Sequence, residues 1–130
     1  MRKKLIFFGL SVAILVIMFH LFIRPLNWKL NESEVKNIML NGIQISEGHK
    51  SEIVRIYNSM TSVRRRNSFE GSTPTYVCII ELNSGEVIDI QDVSATKLIV
   101  GKKKGKSYTS YWTRSSNFNS VAESILLKSK

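Results

Sequence analysis

The stretch of this 130-residue chain most suggestive of chemistry is Gly101–Ser107, which reads GKKKGKS. Its Gly-Lys-Ser ending, after the apolar run Lys97–Val100, is that of a loop whose amides and lysine hold nucleotide phosphates. Such a loop needs four residues between its glycines, and only three separate Gly101 from Gly105. It must also open a helix, whereas Tyr108–Trp112 is typical of a strand. We therefore interpret the stretch as the lysine-rich tip of a hairpin.

Positive charge is the second chemical signal. Lysine and arginine number 19 against 10 aspartates and glutamates, so the chain carries a net charge of +9 at pH 7. Basic surfaces attract polyanions over long range. For a domain outside a membrane these are lipid headgroups or anionic wall polymers, and for a cytoplasmic domain they are nucleic acids. The candidate contacts with an anionic surface are the clustered cations Arg64, Arg65, Arg66, Lys102, Lys103, Lys104 and Lys106.

Aromatic residues beside the lysines help to decide between those polyanions. Tyr108, Tyr111 and Trp112 could stack on bases. Successive side chains of a strand point to opposite faces, so Tyr108 and Trp112 would share one face and Tyr111 would lie on the other. We therefore expect an anionic surface rather than nucleic acid. The structural alternative is that exposed lysines at strand ends only prevent edge-to-edge aggregation.

Residues for catalysis or metal binding are sparse. His49 is the one histidine outside an apolar N-terminal run, and the single cysteine, Cys78, stands between apolar residues as a small hydrophobe would. Asp89 and Asp92 could pair with Glu81 or Glu86 across a predicted hairpin to bind a cation, although carboxylates in and beside a hairpin are usually solvated. We predict no enzyme activity, no cofactor and no metal site. The enzymatic alternative is a small envelope hydrolase that uses Asp89, Asp92 or His49.

The mean hydropathy of -0.04 averages two unlike parts. Of the 19 residues from Leu5 to Ile23, 16 are hydrophobic and none is charged. As a helix that rises about 1.5 Å per residue, this run covers about 28 Å, close to the roughly 30 Å hydrocarbon core of a bilayer. The run is longer than the apolar stretch of a cleaved signal peptide, and no small-residue cleavage pattern follows it. We predict an uncleaved signal anchor that spans the membrane once.

Charges beside the run favour a cytoplasmic N-terminus and an outside C-terminal domain. Arg2, Lys3 and Lys4 abut its start, whereas the positive charges after it are spread out. Trp28 suits the outer membrane interface, and His20 is expected to stay neutral near the end of the span. The predicted organisation is a cytoplasmic tail (1–4), the anchor (5–23), a connector (24–34) and an extracytoplasmic domain (35–130).

The first half of the domain is predicted to contain one strand region and one helix. Val35–Ile45 is β-branched and contains Asn41-Gly42, which predicts a bent strand or a very short hairpin. Ser46 suits a helix N-cap, and Arg64–Arg66 would lie at the C-terminal end of that helix. The apolar stripe between them has helical spacing: Ile53, Ile56, Tyr57, Met60 and Val63.

The second half of the domain is predicted to contain two hairpins and a helix. One hairpin pairs Thr75–Leu82 with Glu86–Ile90, and the other pairs Lys97–Val100 with Ser107–Thr113. The helix has the stripe Phe118, Val121, Ala122, Ile125 and Leu126, with Ser115, Ser116 or Asn117 as its cap. The order β-α-β-β-β-β-α predicts an α+β domain, with helices packed on one face of an antiparallel sheet.

The sequence therefore predicts a single-pass membrane protein that displays a small basic binding or accessory domain at the cell envelope. This layout, over the whole chain, resembles that of short extracytoplasmic proteins of Gram-positive bacteria. The expected partners are the membrane itself, anionic lipid or wall polymer, or an envelope protein. The alternative from another class is an immunity-type protein that neutralises a secreted toxin or bacteriocin through a protein interface.

Overall fold

The computed structural model describes residues 2–23, 28–66 and 73–129, with the side chains of the first helix described as far as residue 18. Within these residues the protein is a mixed α+β structure with three α-helices and a seven-stranded antiparallel sheet. The helices are α1 (Arg2–Ile23), α2 (Glu47–Ser59) and α3 (Phe118–Lys128), and a 3-10 turn spans Glu32–Glu34. The strands are β1 (Val35–Leu40), β2 (Ile43–Gln44), β3 (Thr61–Arg65), β4 (Val77–Leu82), β5 (Val87–Asp92), β6 (Lys97–Lys104) and β7 (Ser107–Arg114).

The strands lie side by side in the order β2-β1-β4-β5-β6-β7-β3. The short hairpin β1-β2 forms one edge of the sheet, and β3 forms the other edge after α2. The two predicted hairpins are present as β4-β5 and β6-β7. In the second one Lys104 pairs with Ser107, so the turn consists of Gly105 and Lys106 alone. The prediction of a lysine-rich hairpin tip is therefore confirmed.

The Asn41-Gly42 pair closes β1-β2 as a hairpin. Asn41 has φ 49° and Gly42 has φ 81°, the left-handed pair of a type I′ turn, which asparagine and glycine adopt at low cost. The Asn41 side chain also reaches the next strand region. It donates to the Thr75 carbonyl at 3.1 Å and accepts the Val77 amide at 2.8 Å. Of the two predicted alternatives, the very short hairpin is the one that forms.

The inner face of the sheet, which is the face that α2 and α3 cover, forms the hydrophobic core. Every second residue of β4 and of β5 is buried there, as expected from the alternation of side chains along a strand. The sheet contributes Ile38, Leu40, Cys78, Ile80, Ile88, Ile90, Leu98 and Val100, and the two helices contribute Ile53, Ile56, Tyr57, Phe118, Ala122 and Ile125. Both helices therefore serve a single core.

The predicted C-terminal end of α2 is wrong. Met60 already has a non-helical ψ of 139°, and β3 begins at Thr61. Val63 is buried from this strand instead, with Ser62 before it at φ 54° and a register shift within β3. Because Val63 fits either period, its spacing could not separate helix from strand. The domain order is thus β-β-α-β-β-β-β-β-α, and Arg64–Arg66 lie on and just beyond an edge strand, not at a helix end.

The core also includes residues that precede β1. Trp28 is only 1% exposed and stacks on Tyr57 with ring centroids 4.7 Å apart. Its indole N–H donates to the Tyr57 carbonyl at 3.3 Å. The backbone of Leu30 exchanges two hydrogen bonds of 2.8 Å with the Asn58 side chain. The prediction that Trp28 lies at a membrane interface is therefore wrong, because the indole is packed inside the domain.

Helix α1 carries uncovered apolar side chains. From Leu5 to Met18 its large hydrophobic side chains are 45% to 71% exposed, and its backbone comes within 8 Å of that of β3. The last part of the predicted anchor, including His20, has its side chains outside the described residues. Among the residues that are described, no helix is long and apolar enough to cross a membrane.

Candidate functional site

Cations collect on the outer face of the sheet, the face opposite α2 and α3. Strand register places the following residues of β6, β7 and β3 on the outer face, together with Arg66, which lies just beyond β3 and donates its amide to the Ser110 carbonyl: Lys97, Ile99, Gly101, Lys103, Tyr108, Ser110, Trp112, Arg114, Arg64 and Arg66. These ten residues include five cations and no carboxylate. The neighbouring strands of this face carry Glu81 on β4 and Asp89 on β5. The half of the outer face that ends at β3 is therefore basic.

Trp112 is the centre of this basic half. Its indole is half-buried and lies directly opposite Arg64 of β3 in the strand register. The Arg66 guanidinium carbon lies 5.0 Å from a Trp112 ring centroid, and the Lys97 Nζ lies 4.2 Å from one. Both distances fall within the range in which the electron-rich face of an indole attracts a cation. The ring thus holds two long side chains in place on the sheet surface.

A fourth cation completes the group. Arg114 lies directly opposite Lys97 in the β6-β7 register, and like charges in that position repel each other. Arg64, Lys97 and Arg114 form no ion pair with any described residue. We call Arg64, Arg66, Lys97 and Arg114, together with Trp112, the basic patch. An anion bound at the basic patch would relieve the repulsion between its members.

The predicted candidates divide between different places. Arg64 and Arg66 belong to the basic patch, whereas Arg65 pairs with Tyr111, on the other side of the strand. Lys103 lies on the outer face opposite Tyr108, away from Trp112. Two further candidates, Lys104 and Lys106, are exposed at the hairpin tip. Sequence reasoning missed Lys97 and Arg114, which the pairing of β6 with β7 places opposite each other on the same face as Trp112.

Lys102 does not lie with the other members of the predicted cluster. It pairs with Ile88 and lies on the inner face, where it is half-buried. Its Nζ stands 4.6 Å from a Trp28 ring centroid and 5.7 Å from the Tyr57 ring. Burial lowers the pKa of Lys102, while the negative charge of Glu86 acts in the opposite direction. This lysine therefore belongs to a different environment from that of Lys103, the next residue.

Asp89 and Asp92 do not form a pair. Asp89 lies on the outer face, where its Oδ1 accepts the Tyr108 hydroxyl at 3.4 Å, and burial raises its pKa. Asp92 lies on the inner face and accepts the Tyr76 amide at 2.7 Å. Gly101 permits the first arrangement, because a Cβ atom there would collide with Asp89 and with Tyr108. The two carboxylates have separate roles in positioning strands and cannot share one cation.

The remaining candidates for chemistry are also dispersed. His49 lies on α2 with its Nδ1 3.9 Å from Glu52, and Cys78 is buried in β4, where desolvation raises its pKa to about 12. A buried thiol with so high a pKa is not a nucleophile at neutral pH. No group of three or more His, Cys, Asp or Glu residues in the described parts of the chain is placed to hold a metal ion.

The arrangement on the outer face can bind an anion through several cations around a flat aromatic ring. Guanidinium groups suit phosphate because their planar fork of donors matches its oxygens. The ring adds a contact surface that does not depend on charge. Comparison with protein-family models, with curated proteins and with solved structures finds no match to this chain.

Proposed function

We propose that this chain is a membrane-anchored binding protein whose small α+β domain contacts phosphate-rich headgroups or polymers at the outer surface of the cytoplasmic membrane. The observation that carries the proposal is the basic patch, in which Trp112 is flanked by Arg66 and Lys97. Anionic lipids and anionic wall polymers present the same chemistry to this patch, which is a dense array of phosphates. We propose no catalytic step.

The anchor is supported by the character of α1. Apolar side chains exposed over most of a helix require lipid or a protein partner to cover them, and those of α1 are bare from Leu5 to Met18. The prediction of a span rests on the sequence of the run from Leu5 to Ile23, in which 16 of 19 residues are hydrophobic and none is charged. Lipid is the cover that such a uniformly apolar helix suits best.

The position of the patch relative to α1 supports a role at the membrane surface. The described chain resumes at Trp28, only five residues after α1 ends, and Trp28 is already in the core. The backbone of α1 also approaches β3, the strand that carries Arg64. With α1 in a bilayer, the patch would face the headgroups, where each cation near an anionic surface contributes about 1 kcal/mol.

Binding is tested on the full-length chain held in phosphatidylcholine nanodiscs. We compare hydrogen exchange in β3 and β7 before and after adding polyglycerol phosphate, and in discs that contain phosphatidylglycerol. Protection by the polymer alone would identify the wall polymer as the ligand, and protection in the anionic discs alone would identify the headgroups. Because the attraction is electrostatic, either protection should fade as the salt concentration rises.

The charge-reversal variant R64E/R114E should lose this protection, because both residues belong to the basic patch and both are exposed. The matched control is R55E/K128E, which changes the net charge equally but alters exposed residues of α2 and α3. Protection in the control together with loss in R64E/R114E supports the patch. Equal loss of protection in both variants would mean that net charge alone accounts for the binding. The absence of protection in the unmodified chain would refute the proposal.

Topology is tested separately with a reporter fused to the C-terminus. The three cations Arg2, Lys3 and Lys4 lead us to expect the reporter outside the cytoplasm. A reporter found in the cytoplasm would overturn the envelope location. It would also make nucleic acid the polyanion to examine at the basic patch.

A further inference from the structure

A cavity of about 160 Å³ opens on the inner side of the sheet, away from the basic patch. It lies between the segment before β1, helix α2 and the end of the β4-β5 hairpin. Two lysines, two glutamates and two aromatic rings contribute to its lining: Lys29, Lys102, Glu34, Glu86, Trp28 and Tyr57. Aliphatic side chains of β4 and β5 complete the wall. The lining thus combines both signs of charge with apolar surface.

Lys102 is a half-buried charge of this cavity. Its ammonium group rests over the faces of Trp28 and Tyr57, and it forms no hydrogen bond or ion pair with any described residue. An ammonium group has three N–H donors, and a partly buried charge is costly unless those donors are satisfied. The rings orient Lys102 but accept few of its hydrogen bonds. Its remaining donors are therefore available to an acceptor that enters the cavity.

Glu86 supplies the opposite charge at the same cavity. Like Lys102 it is half-buried, and the two charges are close enough to influence each other. They do not, however, come within the 4.0 Å of an ion pair. A second lysine and a second glutamate, Lys29 and Glu34, lie at the exposed rim of the cavity. Lys102 and Glu86 line the same cavity without contacting each other, so one ligand that carries both charges can contact both side chains.

We propose that this cavity binds a small zwitterion of the size of one free α-amino acid. The ligand carboxylate would accept hydrogen bonds from Lys102, its ammonium group would donate to Glu86, and its side chain would lie against the apolar wall. A simple anion would meet two carboxylates in the cavity, and a simple cation would meet two lysines. A ligand that carries both charges satisfies both. The proposal does not depend on the basic patch, which lies on the other face of the sheet.

Three probes of one shape test the pairing by titration calorimetry, with the full-length chain in phosphatidylcholine nanodiscs. L-leucine carries both charges, 4-methylpentanoate lacks the ammonium group, and 3-methylbutylamine lacks the carboxylate. Leucine should bind with saturation, and each single-charge probe should bind at least about 10-fold more weakly. Binding should also change the fluorescence of Trp28, which lines the cavity.

Variants of the two inner charges distinguish recognition from general stability. Lys102→Met should weaken leucine binding at least about 10-fold, and Glu86→Gln should do the same while improving the binding of 4-methylpentanoate relative to leucine. Lys103→Met is the matched control, because it removes the neighbouring charge from the outer face. It should leave leucine binding unchanged. Circular dichroism establishes that each variant keeps the fold.

Several outcomes would overturn the proposal. Equal binding of leucine to Lys102→Met and to the unmodified chain would mean that the cavity binds leucine only as an apolar solute, and the charge pairing would then be wrong. Binding of 4-methylpentanoate as tightly as leucine would assign the cavity to simple carboxylates. The absence of any saturable binding of leucine to a folded chain would remove the site. None of these results bears on the basic patch, so failure here is distinguishable from failure of the proposed function.

Discussion

A tryptophan with at least one cation over its rings lies on each side of the sheet, yet the two groups differ in almost every other respect. On the inner face, Trp28 is 1% exposed, and the half-buried Lys102 places its ammonium group over the rings of Trp28 and Tyr57. On the outer face, Trp112 is half-buried, and Lys97 and Arg66 extend across it. The same pair of residue types therefore occurs once in a cavity and once on an open surface.

The difference between the two groups shows how burial changes the kind of ligand that a cation can bind. A lysine that loses contact with water needs nearby groups that compensate its charge. The charge of Lys102 therefore restricts which ligands its cavity can bind. Cations on an open surface keep their water and act together over distances of roughly the Debye length, about 10 Å at moderate salt. The inner group is suited to selecting one small ligand. The outer group is suited to attracting an extended anionic surface.

The largest effect that separates the two faces should follow removal of each indole. Trp28→Ala should lower the free energy of unfolding by about 3–5 kcal/mol, because a fully buried ring leaves a cavity behind. Trp112→Ala is the matched variant and should cost about 1–2 kcal/mol, since its ring is only half-buried. Urea unfolding of the disc-held chain, followed by circular dichroism, gives both values. A cost for Trp112→Ala equal to that of Trp28→Ala would contradict the distinction between the faces.

A smaller effect should follow from crowding the outer face at Gly101. Gly101→Ala places a Cβ atom against the Asp89 and Tyr108 side chains. Both side chains can rotate away, so the expected loss is about 1 kcal/mol, that of their hydrogen bond. Gly48→Ala is the control, because the nearest atom to its Cβ is the Ser46 hydroxyl oxygen at 3.9 Å. In helix α2 this change should instead stabilise by about 0.4–1 kcal/mol.

A Tyr108→Ala background tests whether the Asp89 and Tyr108 side chains cause the loss of stability in Gly101→Ala. In a Tyr108→Ala background the penalty of Gly101→Ala should shrink, because one of the two colliding side chains is gone. Thermal or urea unfolding of the four proteins in this double-mutant cycle measures the coupling. An unchanged penalty would indicate that the backbone, and not the Asp89–Tyr108 contact, resists the new methyl group.

Local pattern was sufficient to predict much of the sheet. Alternation along Ser107–Thr113 predicted that Tyr111 and Trp112 point to opposite faces, and Tyr111 does contact Trp28 in the core while Trp112 lies among cations outside. Asn41-Gly42 likewise predicted its hairpin, because a type I′ turn requires two residues that tolerate positive φ. Both predictions depend only on residues that are close in sequence.

The basic patch required information that the local pattern lacks. Arg64 meets Trp112 because β3 is the partner of β7, and that pairing joins segments almost fifty residues apart in sequence. Because the sequence pattern extends α2 to Val63, it predicts no strand there and places Arg64–Arg66 at a helix terminus. The error over Lys102 is different, since strand β6 continues to Lys104 and alternation would have separated Lys102 from Lys103. The prediction ended that strand at Val100.

The smallest expected effect concerns the charge of Asp89 on the outer face. Burial raises its pKa above the ordinary value of 3.8, and the hydrogen bond from Tyr108 only partly offsets this. The folded state therefore binds the proton more tightly than the unfolded state, and stability is lost as the pH rises through the raised pKa. Asp89→Asn has no charge to desolvate. It should be more stable than the unmodified chain at pH 7, with a difference that disappears as the pH falls below 3.8.

Urea unfolding of both proteins between acid and neutral pH measures this difference. Tyr108→Phe sharpens the test, because it removes a hydrogen bond that lowers the pKa of Asp89 and so should extend the pH range over which stability is lost. A difference between Asp89→Asn and the unmodified chain that stays constant with pH would exclude the buried charge as its cause. A difference that grows toward acid pH would mean that the ionised carboxylate stabilises this face. In that case hydrogen bonding, and not desolvation, would control Asp89, and the outer face would resemble the inner face in compensating its charges locally.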